Sequence, residues 1–409
     1  MSLRSGHSDK AQTNSSACAT PDELVLSLID TALLVEQSLV HLRPSKLARV
    51  LCDTFAVGCG KMSSMNNHPI KFDVAVAAPL REIPALAAQA EALGIAALWT
   101  SEAAHNPFLP LTLAIAQTQR IALGTSIAVA FPRSPMVTAQ LAWDLAAQSE
   151  GRFMLGLGTQ IKAHIVRRFA TAWDSPGPRL RDYILAMRAI WECWQNNTPL
   201  RYDGEFYKLN LMTPFFSPGP IAHPAIPVYI AGVNPYLCKL AGELCQGFHV
   251  HPFHTPRYLC EIVLPNIEKG AAEHGRTRAD LQTACAIFVV TGANDADLEA
   301  SKNAIKAQIA FYASTPSYEV VLQVHGWEAL GQQCNALSKQ GRWLEMADLV
   351  TDEVLNEIAV VAPHDQLAAK VRERYAGLLD RIAYYFPFDA NSTPELWSDA
   401  VRVLGAALP

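Results

Sequence analysis

Charge is scarce in this 409-residue chain: Asp, Glu, Lys and Arg make up 17% of it, and the formal net charge is −5. No long basic stripe occurs, which argues against nucleic acid as the main partner, because a phosphate backbone demands clustered Lys and Arg. Uncharged apolar runs of about 18 residues are also missing, so no membrane span is expected. The most apolar N-terminal run, LVLSLIDTALLV, is interrupted by Asp30 and lacks the basic leader of a secretory signal. Nine cysteines are scattered without a CxxC pair, which suggests neither a disulfide framework nor a zinc knuckle. The expectation is a cytoplasmic protein with reduced thiols and a small-molecule partner, for which a homodimer is a possible assembly.

What the chain has is apolar material, half of its residues, enough for a large core. Residues 1–68 differ from the rest, being Ser/Asn-rich and then helical in pattern, and read as a weakly ordered or helical N-terminal extension; the core domain spans 69–409. From Phe72 short apolar strands alternate with amphipathic helices, starting with FDVAVA and a helix closed by Gly94. Strands starting near 72, 97, 121, 153, 228, 247, 285 and 381 number eight, the count of a closed (β/α)₈ TIM barrel. Between the fourth and fifth lies an insertion: a helix over Arg179 to Gln195, a hairpin around Asp203-Gly204 and a Pro-rich connection. A long helical region begins at Asn294.

In such a barrel the reactive residues stand where strands end. The second strand offers Glu102 and His105, an acid/base pair if Trp99 and Phe108 wall in the carboxylate; a Glu capping the next helix fits equally. The third, IALGTSIAVAFPRSP, leaves a shelf of small residues suited to a flat heterocycle, with Phe131 and Pro135 at its edge, although a plain buried strand reads the same way. The fourth ends in GLGTQ, which lacks the third glycine of a dinucleotide fingerprint. Thr159, Gln160 and His164 there, with Arg167 and Arg168, could bind a polyol chain and phosphate. VNPY at 233–236 enters a helix with Asn234 as cap and Pro235 at the first turn, a place that favours anions but is more often only a cap. His249, His251 and His254 look like a metal tract, but no carboxylate follows closely, and no metal is expected.

Several blocks in register, LWTSEAAHNPF, LGTSIAVAFPRSP and SEGRFMLGLGTQIKAH, followed by SPGPR and GEFY, resemble the luciferase-like flavin and deazaflavin oxidoreductases over about Phe72 to Phe386. The combination resembles the branch that depends on coenzyme F420. The resemblance implies an α/β barrel of the bacterial luciferase type and hydride transfer between the deazaflavin and a small organic substrate. It implies a non-prolyl cis peptide at Ser126–Ile127 under the central ring, Val129 at the ring edge, and Glu102 near the ring. Thr159, Gln160 and His164 fall on the ribityl and phosphate side, Val233, Asn234, Pro235 and Tyr236 on a phosphate-binding helix start, and Arg167 and Arg168 toward the acidic tail of the coenzyme. Glu102 or His105 would move the proton. The sugar-phosphate dehydrogenases of this family carry His directly after the acidic residue, where Ala103 stands here; Gln160, Ile161 and Gln246 also depart from the pattern. Three other readings stay open: an FMN-dependent monooxygenase acting on paired donors with O₂, a non-catalytic flavin-binding barrel, and a metal-dependent barrel hydrolase.

Overall fold

Apolar runs of four to six residues, bounded by turn formers and lacking polar alternation, suit strands covered on both faces, the condition of a parallel sheet. Eight form in the computed structural model, which describes residues 69–406. They are β1 Lys71–Ala75, β2 Ala97–Thr100, β3 Ala122–Thr125, β4 Phe153–Gly158, β5 Val228–Gly232, β6 Gly247–Val250, β7 Gln282–Ile287 and β8 Arg381–Tyr384. Each pairs in parallel with the next, and β8 returns to β1, which closes the barrel expected from the sequence. The extension expected over 1–68 lies outside the described residues.

Helices follow the strands: α1 Ile83–Ala92, α2 Leu109–Ile115, α3 Pro135–Gln148, α4 Pro176–Asn196, α5 Pro235–Leu244, α6 Leu264–Glu273, α7 Asp295–Ala313, α8 His364–Tyr375 and α9 Pro394–Gly405. Gly94 ends α1 with φ +77°, a left-handed conformation that costs a glycine little. The helical region after Asn294 is not one element. Asn294 caps α7 by accepting from the Asp297 N–H, and four shorter helices follow before α8, with Gly326 and Gly341 in left-handed turns between them.

The insertion after β4 is built as expected, with residues Tyr202–Asp203 pairing antiparallel to Lys208–Leu209. Its anchor is Asp182 on α4, whose carboxylate accepts from the N–H groups of Phe206 and Tyr207 and from the Tyr202 hydroxyl. A side chain on Gly204 would collide with that carboxylate, so close contact requires glycine there. No helix among the described residues is long and apolar enough to cross a membrane.

Register decides what fills the barrel. Side chains alternate across a strand, and the inward set can be followed from strand to strand: Ala75 beside Trp99, Trp99 beside Gly124, Gly124 beside Met154, Tyr229 beside Gly247, Ala231 beside His249, Ala286 beside Ala383. Near the amino end this set is bulky and charged. Arg381 donates twice to the Asp73 carboxylate (2.7 and 2.8 Å), the Trp99 indole N–H donates to the same group (2.9 Å), and the Tyr229 hydroxyl reaches Gln282. Toward the carboxyl end the inward positions become Ala75, Ala231 and Ala286, all half-exposed although they sit in barrel strands. A plug closes one end and a hollow opens at the other.

A buried ion pair tolerates joint apolar replacement better than the loss of one partner, which leaves a lone charge without water. Asp73→Ala should therefore lose about 3–5 kcal/mol of unfolding free energy, and Asp73→Leu with Arg381→Met clearly less. Urea unfolding of the three proteins measures the difference.

Candidate functional site

The third strand breaks as it reaches the mouth. Leu123 and Gly124 stand opposite Phe153 and Met154, whereas Ala128 and Val129 stand opposite Leu157 and Gly158. Three residues on one side thus face two on the other, a one-residue bulge over Thr125, Ser126 and Ile127. The Ser126–Ile127 peptide is cis, as the resemblance implied, and both residues are half-exposed at the hollow.

A bulge frees backbone groups from the ladder, and each needs another partner. On the β4 side the Thr125 hydroxyl donates to the Gly156 carbonyl (2.7 Å) and accepts from the Gly156 N–H (2.9 Å). On the β2 side Ser126 N–H donates to the Thr100 carbonyl (2.7 Å) and Glu102 N–H to the Ile127 carbonyl (3.1 Å). The Glu102 carboxylate then accepts from the Val129 N–H (2.7 Å) and takes both arms of Arg133 (2.8 Å each). Glycine is essential opposite the bulge: a Cβ on Gly156 would lie 1.8 Å from the Thr125 carbonyl oxygen, and one on Gly158 would lie 2.6 Å from Cδ1 of Ile127.

These contacts revise several expectations. Trp99 does not wall in Glu102, because its ring points into the barrel against Tyr229 and His249. Phe108 lies instead under the Arg133 guanidinium. Glu102 and His105 do not form an acid/base pair: the carboxylate is 6% exposed and occupied by Arg133, and His105 stands exposed on the loop. Val129, expected at a ring edge, buries its side chain in the core and contributes its N–H. Phe131 packs edge-on against Trp173 beneath the Arg179 guanidinium, and Pro135 is the buried first residue of α3.

The β4 end carries Thr159, whose hydroxyl donates to the Gln160 carbonyl (3.2 Å), and Gln160 in a left-handed conformation, φ +59°. The Gln160 amide oxygen accepts from Ile161 N–H (3.0 Å). His164 opens a single π-turn over His164–Arg168; burial, with Arg168 nearby, lowers its pKa. Arg168 reaches the Ala103 carbonyl and stacks on Phe169, and so ties the β4 loop to the β2 loop. At β5 the Asn234 side chain accepts from Leu237 N–H (2.9 Å), Pro235 is the first residue of α5, and Tyr236 is exposed beside Gly177. The Val233 carbonyl accepts from the Tyr258 hydroxyl.

The three histidines of the β6 segment diverge. His249 lies inside the barrel with Nδ1 at 3.5 Å from the Ser126 hydroxyl. His251 stacks on Tyr318, and His254 donates through Nδ1 to the carbonyls of His251 and Pro252. No cluster of three or more His, Cys, Asp or Glu side chains able to hold a metal occurs among the described residues. Two recesses, of about 560 and 330 Å³, lie by α4 and α5 and at the amino end of the barrel, away from all the candidate residues. Arg133 and Thr125 escaped the reading of the sequence. The signal for Arg133 was its place six residues after the bulge, ahead of the Ser134 cap of α3, which a side chain folding back over the break can use.

The sequence model of the family described as Luciferase-like monooxygenase matches residues 60–381. An uncharacterized protein of Mycobacterium tuberculosis is 44% identical over 317 residues, 78% of this chain and 93% of its own length. An F420-dependent glucose-6-phosphate dehydrogenase of Intrasporangium calvum is 32% identical over 193 residues, 45% of this chain and 55% of its own. Among solved structures, the coenzyme F420-dependent tetrahydromethanopterin reductase of Methanopyrus kandleri superposes with a TM-score of 0.65 at 21% identity, covering 83% of this chain and 98% of that one.

Burial lowers the pKa of His249 to about 3 and of His254 to about 4, so both are neutral in the fold, whereas in the unfolded chain they protonate near 6.5. A folded-state pKa below the unfolded one means that unfolding takes up protons between the two values. Stability contributed by the neutral histidines is complete above pH 6.5 and declines as pH falls toward 3–4. With His251, lowered to about 3 in the same way, denaturation at pH 5 should take up about three protons more than at pH 8, and His254→Gln should remove about one of them. For the strap, Glu102→Ala should cost about 3 kcal/mol, because it strands Arg133 and the Val129 N–H together. Chemical denaturation reads that loss.

Proposed function

The chain belongs to the luciferase-like monooxygenase family, a family of flavin- and F420-dependent oxidoreductases, and from that membership we propose that it binds coenzyme F420 at the barrel mouth and transfers a hydride to or from a small organic substrate. One observation carries the reading: the inward face of the barrel turns from bulky to small where β3 breaks, which leaves Ser126 and Ile127 half-exposed beside a hollow lined by Ala75, Ala231 and Ala286. Small side chains let a flat ring approach backbone closely, and glycines at 156 and 158 keep the opposing strand from filling that space. The residues present fit a tricyclic ring with a phosphate-bearing tail.

In this reading Ser126 and Ile127 bed the ring, and Val129 fixes the bed from behind. Thr159, Gln160 and His164 meet the ribityl chain, while the α5 start, Val233 to Tyr236, offers backbone N–H groups and a positive helix end to phosphate. When bound, the deazaflavin supplies a carbon centre that gives or accepts a hydride. Glu102 and Arg133 hold the bed in place and do not trade protons. His105 lacks an orienting contact, and a general acid works only when it is held within reach of its proton. Ala103 stands where the sugar-phosphate enzymes place histidine, so the reading does not extend to a sugar phosphate.

Titration of the purified protein with F420 and with FMN, followed by fluorescence quenching, tests the proposal. F420 should bind in the micromolar range or tighter, and Gly158→Ala should weaken it at least tenfold by pushing Ile127 into the bed. Binding of FMN alone would move the protein to the oxygen-using arm of the family; binding of neither would overturn the reading.

A further inference from the structure

Across the mouth from the bulge stands a group of aromatic residues that the bed does not use. In a ring of eight strands β7 lies opposite β3, and the group stands just past the ends of β6 and β8 and at and beyond the end of α7. His249 shows how near the two sides come, since it spans from β6 to the Ser126 hydroxyl. His251 follows two residues later on the same side, about 7 Å closer to the mouth at the rise of a strand.

The His251 ring stacks on Tyr318 (4.4 Å between centroids) and meets Tyr312 edge-on (4.6 Å). Its Nδ1 accepts from the Phe253 N–H (3.1 Å), so the neutral ring carries its proton on Nε2. Tyr385 continues the inward set of β8 beyond Arg381 and Ala383, and its hydroxyl lies 2.7 Å from that of Tyr312. When Tyr312 donates to Tyr385, the Tyr385 proton is left for another acceptor. His251, Tyr312, Tyr318 and Tyr385 are all half-buried. Burial raises the pKa of each of the three tyrosines and lowers that of His251, which keeps the group uncharged and hydrogen-bond donating. The nearby α7 lysines, Lys302 and Lys306, are engaged by Asp352 instead.

We propose that His251, Tyr312 and Tyr385 form the substrate side of the site, that Tyr385 is the proton donor, and that the substrate is an uncharged ketone or its alcohol. The inference rests on the cofactor reading above. Aromatic walls favour an apolar body, and two neutral donors suit one carbonyl oxygen; an anionic substrate would call for Arg or Lys in their place. In the reducing direction bound reduced deazaflavin would supply a hydride to the carbonyl carbon as the C=O π bond breaks, and the oxygen would take the Tyr385 proton. Tyr312, a positioning residue, passes its own proton to Tyr385, and solvent restores it. In the oxidising direction every transfer reverses.

The test uses the full chain, F420 in both redox states, and cyclohexanone as probe. Wild-type protein should oxidise reduced F420 with cyclohexanone in preference to glucose 6-phosphate. Tyr385→Phe, which keeps its ring, should lower kcat about 100-fold with F420 affinity unchanged, and Tyr312→Phe should lower kcat about tenfold with little change in KM. Without cofactor, saturation-transfer NMR should show cyclohexanone bound to the wild type and at least tenfold weaker in Tyr385→Phe. F420 binding without ketone turnover, a preference for the sugar phosphate, or an unchanged Tyr385→Phe would each overturn the inference. Failure of the wild type to bind F420 would instead overturn the cofactor reading, and the cofactor-free ketone arm would still decide this one.

Discussion

The Glu102 carboxylate holds the barrel mouth in shape. A strand that bulges gives up ladder hydrogen bonds in return for a changed direction, and backbone groups so freed cannot stay unpaired in a protein interior. Glu102 supplies the missing acceptor for Val129 and, through Arg133, ties the start of the loop after the bulge to the end of β2. Thr125 performs the corresponding service toward β4. The half-buried Ser126–Ile127 segment keeps its place because its two flanks are fastened elsewhere.

That fastening divides the barrel interior by task. Toward the amino end, Asp73, Arg381, Trp99, Tyr229 and Gln282 form a hydrogen-bonded plug that fills the lumen and resists rearrangement, since each polar group depends on the next. Toward the carboxyl end, alanines and glycines leave space, and the loops bring polar groups to its rim. The rim itself is asymmetric. Backbone donors and Thr, Gln and His side chains gather at β4 and β5, while neutral aromatic groups gather across from the bulge at β6 to β8. A flat cofactor with a phosphate tail and an apolar partner above it would use both sides.

Much of this was legible in the sequence, and the reasons differ by feature. Strands buried on both faces announce themselves as short apolar runs, so all eight were placed, and Gly94, Asp203-Gly204 and Asn234-Pro235 marked their turns by backbone chemistry alone. The cis peptide at Ser126–Ile127 came from resemblance; no local pattern encodes it. Side-chain direction was the weakest point. Trp99 sits beside site residues in the sequence yet faces the lumen, because the two-residue period of a strand decides facing, and that is not visible without the register. Arg133 and Tyr385 were missed for a related reason: their partners, Glu102 and Tyr312, lie 31 and 73 residues away.

The most direct test of the account is a crystal structure of the protein with coenzyme F420 bound. The deazaflavin ring should lie over Ser126 and Ile127, its tail should run past Thr159 toward the Asn234 end of α5, and the Glu102–Arg133 pair should stay intact behind it. A ring seated at the amino end of the barrel, or a Glu102 carboxylate turned from Arg133 to the cofactor, would contradict it.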